Sequence, residues 1–112
     1  MNRHWHNDNP LNCPLAVALN VIGGKWKPMI LHMLSSGTQR YGALKKNIPA
    51  VSQKVLTQQL RELEADGIVR RTVYMEVPPR VEYALTERGV TLTPILDALY
   101  HWGEEFRVAG PG

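Results

Sequence analysis

Cysteine is almost missing from this chain: Cys13 stands alone among 112 residues. One thiol cannot close an internal disulfide, so a reduced, cytosolic setting is expected. No apolar run approaches the roughly 20 residues that a bilayer-spanning helix needs. The opening stretch MNRHWHNDNP lacks the apolar segment of a secretory leader. Enzyme signatures are missing as well. There is no phosphate-cradling glycine loop, no nucleophile elbow, and no carboxylate pair in a setting that predicts shifted pKa values. Gly23-Gly24 reads as a helix break, and no cofactor is expected. Metal-site spacing is also lacking, because His4 and His6 form a lone pair and His32 and His101 are distant from them, so no metal is expected. No repeat, low-complexity tract or long linker divides the chain, which predicts one domain with a modest core.

Charge of one sign is concentrated rather than abundant. The net charge is +3. Residues 39–71 carry Arg40, Lys45, Lys46, Lys54, Arg61, Arg70 and Arg71 against Glu62, Glu64 and Asp66, a local +4. Residues 1–38 carry +2, residues 72–85 carry −1 and residues 86–112 carry −2. A cationic middle suits a polyanion-binding patch, although a solvated basic surface has the same composition.

That middle contains the most informative segment, VSQKVLTQQLRELEADGIVRR, from Val51 to Arg71. The spacing predicts a helix over 52–66, capped by Ser52 and closed by Gly67. Leu56, Leu60 and Leu63 recur as a buried stripe. On the opposite face Lys54, Thr57, Gln58 and Arg61 form a stripe of long hydrogen-bonding side chains without a carboxylate. Such a face suits the major groove, where Arg pairs with guanine, Gln with adenine, and a Thr methyl can meet thymine. Ser52 and Gln53 lie at the helix start, where backbone N–H groups favour phosphate.

The flanking elements follow from the same rules. Pro14 to Ile22 is almost wholly apolar, which predicts a helix buried on several sides. A second helix starts near Trp26, with Pro28 in its first turn and Trp26, Ile30, Met33 and Leu34 on one face. Ser35 to Thr38 reads as a turn. Tyr41 to Ile48 reads as a short helix with Leu44 and Ile48 inward and Lys45 and Lys46 outward. Two short helices joined by a tight turn at Pro49-Ala50 make a helix-turn-helix. Val69 to Glu76 and Arg80 to Leu85 have strand character, and Pro78-Pro79 marks the hairpin tip between them. Thr86 can cap the final helix. Pro94 predicts a kink or restart there, because it cannot bond the carbonyl of Val90. The predicted fold class is mainly α with a small β-hairpin (α+β): a winged helix-turn-helix. The apolar first helix and the long stripe of the last also favour a homodimer through these two helices, with Leu15, Leu19, Ile22, Leu92, Ile95, Leu96, Leu99, Trp102 and Phe106 at the interface; the plain alternative is that the last stripe only covers the winged helix.

In order and spacing, Cys13-Pro14, GGKWKPMIL (Gly23–Leu31), RYGALKKNI (Arg40–Ile48), the Val51–Arg71 block, VPPRVEYALTERG (Val77–Gly89) and LTPIL (Leu92–Leu96) resemble the HxlR family. Its members are bacterial winged-helix transcription regulators of the broader MarR-like group. Tyr41 and Val51 stand where that family often has Phe and Ile. The resemblance implies a homodimer built on the first and last helices, in keeping with the cytoplasmic setting expected from the single cysteine. It places one helix per subunit in successive major grooves of a pseudo-palindromic double-stranded DNA operator, with the hairpin tip at a flanking minor groove or phosphates. Repression is the commoner behaviour of such proteins.

The expected layout is a mobile arm over 1–12, the winged-helix domain over 13–107 and a tail over 108–112. The candidate DNA contacts are Ser52, Gln53, Lys54, Thr57, Gln58 and Arg61 on the groove helix, Arg80 on the wing, and Arg40, Tyr41, Lys25 and Lys27 at helix starts. Cys13 can occupy an N-cap, where the helix end favours thiolate. Some members of the family sense oxidants or electrophiles through a cysteine at this place, which makes Cys13 a candidate redox sensor with an oxidant or electrophile as effector. A small buried apolar residue is the plain alternative. No membrane partner is expected. The rival to DNA binding is a winged helix used as a protein-interaction module, which calls for acidic or apolar groups on the polar stripe.

Overall fold

In a computed structural model, which describes residues 13–110, these periodicities become six helices and three short strands. In chain order they are α1 (Pro14–Ile22), α2 (Trp26–Leu34), β1 (Gln39–Arg40), α3 (Tyr41–Asn47), α4 (Gln53–Ala65), β2 (Val69–Tyr74), β3 (Arg80–Leu85), α5 (Glu87–Val90) and α6 (Thr93–Ala109). The expected arm and the His4-x-His6 pair lie outside the described residues. Helix α6 runs two residues past the expected domain end at 107.

The core is built from the predicted stripes. Leu56, Leu60 and Leu63 of α4 meet Ile30, Leu31 and Leu34 of α2 and Leu44 of α3, all buried. Full burial of one such side chain contributes about 1.5–3 kcal/mol, and seven of them fix the relative placement of three helices. Helix α4 is delimited as expected. The Val55 N–H donates to Ser52 Oγ at 3.1 Å, and Gly67 closes the far end at φ +73°. The Ile68 N–H then reaches the Leu63 carbonyl at 2.9 Å and turns the chain into β2.

Strands β2 and β3 form the antiparallel hairpin, paired from Val69–Leu85 to Tyr74–Arg80. Residues 75–79, with the two prolines, make its tip. Strand β1, which falls between the expected turn over Ser35–Thr38 and the third helix, adds an outer strand to give the order β1-β3-β2. Its pairing of Gln39 with Tyr83 ties the start of α3 to the wing. Tyr83 is itself buried in the core.

The chain breaks before α6 as Pro94 requires. Thr86 caps the separate one-turn α5, accepting from the Gly89 N–H at 3.0 Å, while its hydroxyl donates to the Gly67 carbonyl at 2.6 Å. Gly89 lies so close to the Ile68 carbonyl that a Cβ there would collide with it. Helix α6 then restarts with Pro94 in its first turn.

The apolar helices α1 and α6 are only partly covered within the described chain. Leu15, Leu19, Ile95, Leu99, Trp102 and Phe106 remain exposed, and the Trp102 and Phe106 rings stack with centroids 5.2 Å apart. Three of the expected interface residues differ. Ile22 and Leu96 are buried in the protomer's own core, and Leu92 packs partly buried against it. They lie on the sides of α1 and α6 that face the core.

Candidate nucleic-acid interface

Helix α4 presents its second stripe outward because the leucines pull the first one in. Lys54, Gln58 and Arg61 are exposed and Thr57 is half-buried. With Gln53 they line a shallow hollow of about 540 Å³. Ser52 accepts the N–H of Val55, the third residue of the helix, and both Ser52 and Gln53 are exposed, so the N–H groups of Gln53 and Lys54 are left without a partner inside the helix.

Tyr41 holds this helix in place. Its hydroxyl lies 3.3 Å from the Gln53 carbonyl and 3.3 Å from Thr57 Oγ1. It can donate to the former and accept from the latter, which pins α3 to the first turns of α4. Arg40, at the β1–α3 junction, is exposed. A cleft of about 640 Å³ opens between the start of α3, the outer face of α4 and the wing. Arg40, Thr57, Arg61, Arg71 and Arg80 line it, with Glu64 and Glu76 among them. Arg71 was not singled out from sequence. Strand alternation would have separated it from Arg70 onto the sheet face that looks toward α4.

Two expected contacts are placed differently. Arg80 opens β3 but does not project from the wing. Its Nη2 lies 3.2 Å from Glu76 Oε2 and its Nε 3.5 Å from Glu82 Oε2, and the guanidinium covers the Tyr74 ring at 4.1 Å. Two carboxylates and a ring hold it against the hairpin, leaving one side toward the cleft. Lys27 departs further. It is 8% exposed, and its Nζ sits 2.6 Å from Glu62 Oε1, joining α2 to α4. Its ammonium is spent inside the protein and is withdrawn from any phosphate. Lys25, by contrast, is exposed at the start of α2 with its Nζ 4.9 Å from the Trp26 ring centre.

Glu62 is the residue that sequence reasoning left out. The polar face was read as free of carboxylate, yet Glu62 Oε2 accepts from Gln58 Nε2 at 3.0 Å, one turn along the same helix. The Lys27 hydrogen bond, then the Gln58 hydrogen bond and the Lys27 charge, hold the Glu62 carboxyl below the usual carboxylate range. The i, i+4 spacing of Gln58 and Glu62 was a readable signal.

Cys13 occupies the N-cap of α1, half-buried, with its carbonyl accepting from the Val17 N–H at 3.0 Å. Among the described residues no helix is long and apolar enough to cross a membrane.

Comparison with known proteins gives one consistent answer. Residues 21–110 match the model of the HxlR-like helix-turn-helix family. An HTH-type transcriptional regulator of Methanothermobacter thermautotrophicus is 50% identical over 99 residues, covering 88% of this chain and 76% of that protein. YtcD, an HTH-type transcriptional regulator of Bacillus subtilis, is 54% identical over 92 residues, covering 82% of this chain and 73% of that one. Among solved structures, the redox regulator HypR in its reduced form superposes with a TM-score of 0.82 at 49% identity, covering 85% of this chain and 94% of that chain.

Proposed function

The chain belongs to the HxlR-like helix-turn-helix family and is a transcriptional regulator, not an enzyme; from that premise we propose how it works. As a cytoplasmic homodimer it binds a pseudo-palindromic double-stranded DNA operator. One α4 from each subunit enters a major groove, and the protein represses by occupying the site. The observation that carries this reading is the outer face of α4. Lys54, Gln58 and Arg61 stand exposed on a helix whose opposite face is locked into the core. The N–H groups at the α4 start, with Ser52 and Gln53, are in place for phosphate, as are Arg40 and Lys25. Tyr41 contributes by positioning α4. Arg40, Arg61 and Arg71 supply the positive charge of the cleft beside the wing, where Arg80 is offset by Glu76 and Glu82.

Two finer points accompany this. The unpartnered faces of α1 and α6 supply the dimer contact, which sets the spacing of the two groove helices. Cys13 is a thiol switch. Its N-cap position on the dimerisation helix supports this, as does similarity to a redox regulator solved in both oxidised and reduced forms. Replacing Cys13 with Ser and measuring operator affinity with and without diamide tests the switch, and an oxidant response that persists in Cys13→Ser refutes it.

Salt dependence tests DNA binding against the protein-module reading. Neutralising Z phosphates gives a log–log slope of about −0.9Z, so a steep fall in affinity with salt is expected. A flat response would favour a protein partner.

A further inference from the structure

We infer that Glu62, held by buried Lys27, is a specificity-determining positioning residue: it locks the side-chain amide of Gln58 with its oxygen outward and so makes Gln58 a reader of adenine. The inference rests on the proposal that α4 lies in the major groove.

The chain of contacts sets the orientation of an exposed side chain, since only Lys27 at its inner end is buried. Lys27 Nζ, with a side chain only 10% exposed, holds Glu62 Oε1 at 2.6 Å, while Glu62 Oε2 holds Gln58 Nε2 at 3.0 Å. An ammonium only donates, and an ionised carboxylate only accepts. The amide of Gln58 must therefore turn its nitrogen to Glu62, because the flipped amide would set oxygen against oxygen. Chemistry thus assigns the orientation that geometry alone often leaves open. One N–H is spent on Glu62. The oxygen and the second N–H remain on the outward edge as an acceptor beside a donor. Adenine shows the complementary pair in the major groove, the N6 amino group beside N7. Guanine shows two acceptors there, and would face the Gln58 oxygen with its own O6.

The same contacts explain how a carboxylate is tolerated on a face meant for a polyanion. Lys27 offsets its charge from behind, and one of its oxygens is turned to Gln58. A free Gln58 would rotate and accept several bases, whereas a buttressed one chooses. Sequence choice then depends partly on Lys27, a residue with no path to DNA.

The test selects bound duplexes from a random pool with the full chain, its folding verified by circular dichroism. Wild type is expected to enrich adenine at one position of each half-site, and Gln58→Ala to lose that enrichment at that position alone. The decisive variant is the isosteric Glu62→Gln. Its carboxamide oxygen goes to Lys27 and its amino group turns toward Gln58, which must then rotate its own oxygen inward. Adenine preference at the Gln58 position is expected to fall roughly tenfold, within the range of one bidentate base contact, and the Gln58→Ala/Glu62→Gln double variant to lose no more. A purely structural Glu62 would leave that single-base preference intact. Full retention of the preference in Glu62→Gln, or additive loss in the double variant, overturns the inference. A second readout needs no DNA. In ¹⁵N-labelled protein the Gln58 side-chain amide resonances, identified by their loss in Gln58→Ala, should move in Glu62→Ala, and unchanged resonances overturn the inference too. If the resonances move but wild type enriches no sequence at all, the major-groove reading itself has failed and the specificity role falls with it.

Discussion

Arg61 and Glu62 are neighbours on α4 with opposite assignments, and the difference lies in what stands behind each. Arg61 is exposed with no ion-pair partner among the described residues, so its guanidinium is available to a base edge. Arg61→Ala should cost about 1–3 kcal/mol of operator binding and relax preference at one base. Equal weakening on all duplexes, measured by competition, would reassign it to a phosphate. Glu62 instead faces Lys27, and its carboxyl is held below the ordinary value of 4.5. A depressed folded-state pKa means that the unfolded chain takes up a proton first as the medium is acidified. The contribution of Glu62 to stability is therefore complete above the unfolded value and is lost as pH falls below about 4.5 toward the lower folded value. Denaturant midpoints of wild type and Glu62→Gln should thus converge on acidification below pH 4.5. A gap that stays constant down to the acid transition would show that the ion pair is not responsible.

At the scale of elements, the groove helix depends on its cap and on its neighbour. Ser52→Ala removes the acceptor for the Val55 N–H and should lower stability by about 1 kcal/mol, read as a shift in denaturant midpoint without a change in slope. Tyr41→Phe removes the hydroxyl that joins Gln53 and Thr57 and should weaken operator binding more than it weakens the fold, because α4 keeps its leucines but loses one clamp on its first turns. The five longer helices and the hairpin were legible in the sequence for the reason that makes them fold. Their apolar residues recur at helical or strand spacing, and Ser52, Gly67, Thr86 and Pro94 mark their ends. Strand β1 was not legible, since two residues carry no period and Gln39 pairs with Tyr83 across 44 positions of chain. The site was half legible. The outward stripe of α4 follows from its period alone. The withdrawal of Lys27 and the pinning of Arg80 do not, because each depends on a carboxylate brought in by another turn or element. Ile22 and Leu96 were assigned to the subunit interface for a similar reason. An apolar residue in sequence does not say which of two apolar environments it will meet.

For the whole molecule, the proposed dimer rests on the exposed rows of α1 and α6, which in that assembly would set whether one groove helix or two act together. The described protomer is elongated, 53 × 35 × 24 Å, with α6 continuing well past the core. Leu99 and Trp102, on successive turns of α6, are each more than half exposed. Leu99→Glu combined with Trp102→Glu should leave the fold intact while giving a monomer by sedimentation. Operator affinity should then fall at least a hundredfold, because the second α4 no longer binds at the effective concentration set by the first. A double variant that remains dimeric would move the interface elsewhere. The central claim, that the α4 outer face enters the major groove, is tested most directly by a crystal structure of the dimer on a duplex selected from a random pool. The expected result is Gln58 and Arg61 within hydrogen-bond distance of base edges in the major groove, with Glu62 still behind Gln58. A complex in which that face looks into solvent, with DNA held by another surface, would contradict it.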